Sequence, residues 1–190
     1  MKNEIINNYP TSQKQILKII TKKTKNNEIF YQKHMTHHII KNTRLDWLNK
    51  GHNCFLIRHP AKVINSYIKK NSLINIDDVG FKKQYEIFNK LKKNKVNYTV
   101  INADMILKDP SKIIKKLCNK LKIRFTKKML NWPKGKRTSD GIWSQVWYKN
   151  VQLSNSFSKF KKEKYNVPKE YKNIYEESLK YYNEMNEQSI

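Results

Sequence analysis

Short apolar clusters separated by lysine- and asparagine-rich stretches run the length of the chain, and their period changes from one cluster to the next. Ile16, Leu17, Ile19 and Ile20 recur at helical spacing, which predicts a helix over 11–25. Thr11 or Ser12 can cap it, and Asn26 and Asn27 should end it. Ile29, Phe30 and Tyr31 centre a predicted strand over 28–34, followed by a turn or short helix over 35–50 that carries Trp47 and Leu48. Phe55, Leu56 and Ile57 read as a buried strand within 53–58, and Val63, Ile64, Tyr67 and Ile68 as a helix over 60–70 opened by Pro60. Asp77 and Asp78 precede a longer helix running through 93, with Phe81, Tyr85, Phe88 and Leu91 on one face. Residues 97–102 (NYTVIN) predict a third strand, and 110–121 a helix with Ile113, Ile114, Leu117 and Leu121 turned inward. The lysine-rich run 159–164 marks a loop before a last, tyrosine-rich helix over 168–185, expected to serve packing or a partner contact. Strands alternating with helices at this spacing imply βαβ units and a mainly parallel sheet, the α/β class.

Composition narrows the picture. At 190 residues the chain has the length of one domain, 1–190, with no repeat and no Gly/Ser-rich linker. Lys and Arg number 40 against 15 Asp and Glu, a net charge of +25. Such an excess points to an anionic partner. The lysines are spread along the whole chain beside abundant Asn and Ile, as AT-rich coding would produce, and no nucleic-acid-binding signature accompanies them. Nucleic acid is therefore the weaker candidate partner and a small anionic ligand the stronger. Cys54 and Cys118 sit inside apolar segments and are expected to be buried and reduced, with no metal-ligand spacing. Residues 1–10 lack the apolar core of a signal peptide, and no run approaches the roughly 18 apolar residues of a membrane span, which makes the cytoplasm the default expectation.

The stretch 53–70 (NCFLIRHPAKVINSYIKK) carries the sharpest chemistry. Arg58 stands where the strand ends, Pro60 opens the helix and Ser66 follows eight residues after the arginine. Ligands of open α/β sheets bind beyond the C-terminal ends of strands. A helix N-terminus there is expected to offer free N–H groups and a positive dipole end to an anion, Arg58 a planar fork for two oxygens, and Ser66 a hydroxyl. A strand-ending arginine in a surface ion pair is the competing reading. The block Lys33-His34-Met35-Thr36-His37-His38 gathers three of the five histidines. Histidine suits a general base near neutral pH. Polar lining of a turn competes with that role. A metal site lacks a nearby carboxylate or cysteine to complete it.

The arginine and serine of 53–70 resemble the 3′-phosphate-binding motif of the sulfotransferase family, whose donor is 3′-phosphoadenosine 5′-phosphosulfate (PAPS). The segments 30–40 (FYQKHMTHHII), 102–110 (NADMILKDP), 117–125 (LCNKLKIRF) and 129–148, with its WPKG and DGIW pieces, resemble the same family. The likeness covers about 9–157 and is to a bacterial-type subfamily, some of whose members carry an aminotransferase-like label; no pyridoxal phosphate site is legible. It implies a three-layer, P-loop-type α/β fold and transfer of a sulfuryl group from PAPS to a hydroxyl or amine of an unassigned small-molecule acceptor, without a metal. A non-catalytic nucleotide- or RNA-binding descendant is the alternative. Arg58 and Ser66 would hold the 3′-phosphate, and Lys33 would neutralise the sulfate end. His34, His37 or His38 would act as base. In the family's usual motif the lysine and histidine are two apart, and Met35 occupies that position here, so the three remain open, with His59 a further candidate. The segment 132–148 resembles the one that closes over the nucleotide, with Lys134, Lys136 and Arg137 at phosphate oxygens, Gly135 and Gly141 permitting close backbone approach, and Trp143 and Trp147 stacking or packing. Asp104 and Asp109 are expected to cap the segment after the third strand. The family's P-loop matches none of the four glycines, so the chain is expected to lack the first βα unit, which leaves activity of this chain alone an open expectation. The C-terminal helical extension, 160–190, is expected to lie beyond the family region.

Overall fold

The computed structural model describes residues 2–25, 28–40 and 42–190; Asn26 and Asn27, expected to break the first helix, lie outside them. In chain order the elements are α1 (Lys2–Asn8), α2 (Gln13–Ile20), β1 (Asn53–Ile57), α3 (Pro60–Tyr67), α4 (Phe81–Lys93), β2 (Tyr98–Asn102), α5 (Ala103–Lys108), α6 (Pro110–Leu121), α7 (Ser144–Trp147), α8 (Lys149–Leu153) and α9 (Lys172–Asn186). Single 3₁₀ turns occupy Thr36–His38, Asp46–Lys50, Ile76–Val79, Lys127–Met129 and Lys169–Tyr171.

Local chemistry sets the boundaries. Ser12 caps α2 by accepting from the Gln15 amide at 3.2 Å, and Asp109 caps α6 by accepting from the Lys112 amide at 2.9 Å. Asn75 and Asp78 form a capping box around the turn before α4. Gly80 then enters α4 at φ 71°, where a Cβ would lie 2.7 Å from the Thr36 hydroxyl oxygen. That hydroxyl donates to the Gly80 carbonyl at 3.1 Å, tying the Thr36 turn to the head of α4.

The sheet among the described residues is the parallel pair β1–β2, in register from Asn53↔Tyr98 to Ile57↔Asn102. Phe55, Ile57 and Val100 face Ile87, Phe88 and Leu91 of α4 and Tyr182 and Met185 of α9, and this is the core. Phe55 meets Phe88 edge to face at 5.9 Å. Tyr85 of α4 donates to Glu184 of α9. Ser189 bridges the free edge of β2 at Val100, where the Ile190 amide donates to the Val100 carbonyl at 3.2 Å.

Two expectations are overturned. Residues 28–34 form no strand: Ile29 is 70% and Tyr31 81% exposed, and the segment pairs with no described neighbour. An extended apolar tripeptide becomes a strand only when a sheet edge takes up its backbone N–H and C=O groups. Cys54 is exposed rather than buried, because it shares with Leu56 the outer face of β1; Cys118 alone of the two is inside. No helix of the described residues is long and apolar enough to cross a membrane.

Candidate functional site

The C-terminal end of β1 passes through Arg58 and His59 into α3, so Arg58 stands where a strand-end ligand would bind. Lys62, Asn65, Ser66 and Lys69 recur along one side of α3 and its continuation, next to Arg58 at the end of β1. Together with Glu163, Lys164 and Tyr165 they line an open cavity of about 260 Å³. Arg58 makes no ion pair or hydrogen bond with any described residue, which removes the reading of a strand-ending arginine in a surface pair. Arg58 and Ser66, chosen from spacing, thus share one pocket.

The helix end contributes less than expected. Pro60 has no N–H, and the Ala61 amide donates to His59 Nδ1 at 3.3 Å, so the first donors of α3 are absent or taken. The site depends on side chains. His59 is the N-cap, and its ring lies flat on Tyr165, with centroids 3.6 Å apart and planes 9° from parallel. The Tyr165 hydroxyl donates to Asp104 Oδ2 at 3.3 Å. The same carboxylate accepts from Lys62 Nζ at 2.9 and 3.0 Å. Lys62 and Asp104 side chains are only 9% and 13% exposed. Asp104 therefore neutralises a nearly buried lysine, while Asn102, not Asp104, caps α5.

Burial pushes the His59 imidazole below its ordinary value; Asp104 opposes this and Lys62 adds to it. The folded state then binds fewer protons than the unfolded chain just below pH 6.5, so stability rises with pH across that window. The urea midpoint should hold steady above pH 7 and fall as acidification passes through the depressed folded value. His34, His37 and His52 are shifted the same way by desolvation and add to the slope. His59→Asn, which keeps a capping acceptor without titrating, should flatten part of it; a midpoint that rises on acidification contradicts the assignment.

The remaining predicted residues lie elsewhere. Lys33, His34, His37 and His38 line no part of this cavity. Lys33 Nζ lies 6.0 Å from the centroid of the Tyr148 ring. His34 packs on Trp47 at 4.7 Å and shares a hydrogen bond of 3.1 Å with Gln32. His37 and His38 meet edge to face at 4.2 Å, and His37 feels the Asp78 carboxylate. Lys134, Lys136 and Arg137 sit on an exposed turn closed by the Arg137 amide donating to Asp140 at 3.0 Å. Gly141 makes room for the chain's own indole: a Cβ there would lie 2.5 Å from Trp143. Trp147 is exposed under Lys70 Nζ, 5.2 Å from its centroid. No three His, Cys, Asp or Glu side chains among the described residues gather closely enough to hold a metal ion.

Lys62, Lys69, Lys164 and Tyr165 were not foreseen. The first two were detectable, falling four positions before and three after Ser66 on one helical side. The other two reach the site through contacts far apart in sequence.

A family of sulfotransferase domains matches residues 1–189. The chain belongs to the sulfotransferase family. That match runs through α9, beyond the 9–157 over which the motifs are recognisable. Among curated proteins, the sulfotransferase chain is 26% identical over 182 residues to branched-chain-amino-acid aminotransferase-like protein 1 of Arabidopsis thaliana, covering 96% of this chain and 33% of that protein. It is 24% identical over 182 residues to branched-chain-amino-acid aminotransferase-like protein 2 of the same plant, covering 96% of this chain and 32% of that one. The sulfotransferase chain thus spans about a third of the length of these relatives. No solved structure matches it.

Proposed function

We propose that this sulfotransferase domain binds PAPS and transfers its sulfuryl group to a hydroxyl or amine acceptor, with the pocket at the end of β1 holding the donor's 3′-phosphate. The observation that carries the reading is the convergence of Arg58, which has no protein partner among the described residues, with Ser66 on one basic pocket in a chain of this family. The residues present suit the group. Arg58, Lys69 and Lys164 form no ion pair among the described residues, and about 260 Å³ admits a phosphate and the adjoining part of its sugar. Arg58 would grip two phosphate oxygens, Ser66 would donate one hydrogen bond, and the lysines would add compact charge. When bound, PAPS supplies the activated sulfuryl group. The chain's contribution is positioning and charge neutralisation, with Lys33 at the sulfate end and His34, His37 or His38 taking the acceptor's proton.

A second reading has an observation behind it. None of the candidate bases lines the pocket, as in a protein that binds nucleotide without transferring anything. Calorimetric titration separates the cases. Adenosine 3′,5′-bisphosphate should bind at least about tenfold more tightly than adenosine 5′-monophosphate, the difference expected of a charge-assisted phosphate contact. Equal affinities would remove the 3′-phosphate assignment. Incubation with PAPS and a mixture of phenol and amine acceptors then decides the chemistry: a sulfated product supports transfer, and binding without product supports the second reading.

A further inference from the structure

Residues 157–167 contain no helix or strand, yet the segment crosses α3 at a defined place. Its contacts hold it there. Tyr165 is stacked on His59 and hydrogen-bonded to Asp104. Asn65 Nδ2 donates to the Asn166 carbonyl at 2.7 Å. Lys62 Nζ lies 5.6 Å from the Phe160 ring and 5.7 Å from the Tyr165 ring, and Lys108 Nζ lies 4.9 Å from Phe160. Between these anchors Glu163 and Lys164 form one wall of the pocket, and Arg58, Ser66 and Lys69 form the other.

Charge acts in both directions here: Glu163 on the segment attracts Arg58 and Lys69, while Lys164 beside it repels them. Docking brings Lys164, with Lys161 and Lys162 beside it in sequence, toward Arg58 and Lys69. Like charges held close repel, and a multiply charged anion between them relieves the repulsion. An anion that touches both walls interacts with the docked strap only, so it must favour docking, and docking must favour the anion.

We infer that the segment 157–167 is a strap whose docking completes the anion pocket, and that Tyr165 is its positioning residue, holding Lys164 opposite Arg58 and Ser66. The inference rests on reading the pocket as a phosphate site. Tyr165 lines the pocket, but its ring is taken up by the His59 stack and its hydroxyl by the Asp104 carboxylate. Its ring and hydroxyl fix the strap to the His59 cap and to Asp104, and Lys164, the residue before it, supplies the charge.

Two measurements test it, one without ligand and one with. In the ligand-free protein, trypsin cleavage after Lys161, Lys162 or Lys164 is followed by mass spectrometry. Because cleavage tracks the undocked population, Tyr165→Ala should speed it by about tenfold, and Tyr165→Phe, which keeps the stack but loses the hydrogen bond, by less. Tyr165 is 44% exposed, so neither variant is expected to unfold the domain. Equal cleavage in wild type and Tyr165→Ala overturns the latch. In the second measurement, adenosine 3′,5′-bisphosphate is titrated into wild type, Lys164→Ala, Tyr165→Ala and the double variant. Each single change should weaken binding by about fivefold or more, and the double should weaken it no further than the worse single. A double loss equal to the product of the two overturns the positioning role. If wild type does not bind the bisphosphate, the phosphate reading and the coupling fall together, while the cleavage rates still decide whether the strap is latched.

Discussion

Replacing Arg58 by alanine should weaken adenosine 3′,5′-bisphosphate binding by about 10- to 100-fold and leave the unfolding midpoint unchanged. The affinity loss follows from removing a charge-assisted pair of hydrogen bonds, worth about 1.5–3 kcal/mol, with the lower end favoured because the side chain is exposed. The unchanged stability follows from Arg58 having no partner among the described residues, so nothing folded depends on it. Arg58→Lys discriminates further. It restores charge but not the planar fork, and should recover only part of the loss. Binding should also weaken with added salt, since the pocket is open to solvent. Equal bisphosphate affinity in wild type and Arg58→Ala, measured by calorimetry, would sink the assignment. A variant that also unfolds early would show that Arg58 holds structure instead.

What was legible in the sequence is what local pattern decides. The helical repeat of Val63, Ile64 and Tyr67 behind a proline fixes α3 within a few residues, and Pro110 with Asp109 before it fixes the start of α6. Arg58 and Ser66 share a pocket because a two-residue link joins the end of β1 to α3, on whose pocket side Ser66 falls with Lys62 and Lys69. The expected strand at 28–34 failed because pairing is not a local property, and Ile29 with Tyr31 stays exposed without a neighbour. Asp104 was misread as a cap for a related reason. Capping is decided within three residues, but its actual partners, Lys62 and Tyr165, lie 42 and 61 positions away. Long-range pairs of this kind leave no mark on periodicity. Expecting free amides at the start of α3 overlooked that the residue before Pro60 is itself a capping acceptor. The three-layer, P-loop arrangement rests on the family resemblance; the described sheet is the parallel pair β1–β2.

Asp104→Ala should destabilise the domain by about 3–5 kcal/mol, because it strands the Lys62 ammonium in a nearly buried position. That is comparable to much of the stability of a typical domain, roughly 5–15 kcal/mol. The size comes from desolvation, not from the pair's attraction, and a second variant separates the two. Lys62→Met with Asp104→Leu removes both charges while keeping apolar bulk against Phe160 and Tyr165, and should recover most of the loss. Urea unfolding of wild type, single and double variants gives the comparison. If the single and double changes cost the same, the residues matter for shape rather than charge. If the single change costs under about 1 kcal/mol, the pair behaves as a solvent-exposed bridge and water reaches it. The double variant carries a further consequence for the site. It removes the Tyr165 hydroxyl's acceptor but also Lys62, which itself lines the pocket, so weakened bisphosphate binding is ascribed to the strap's anchorage only if Tyr165→Phe, which leaves every pocket charge in place, weakens it too.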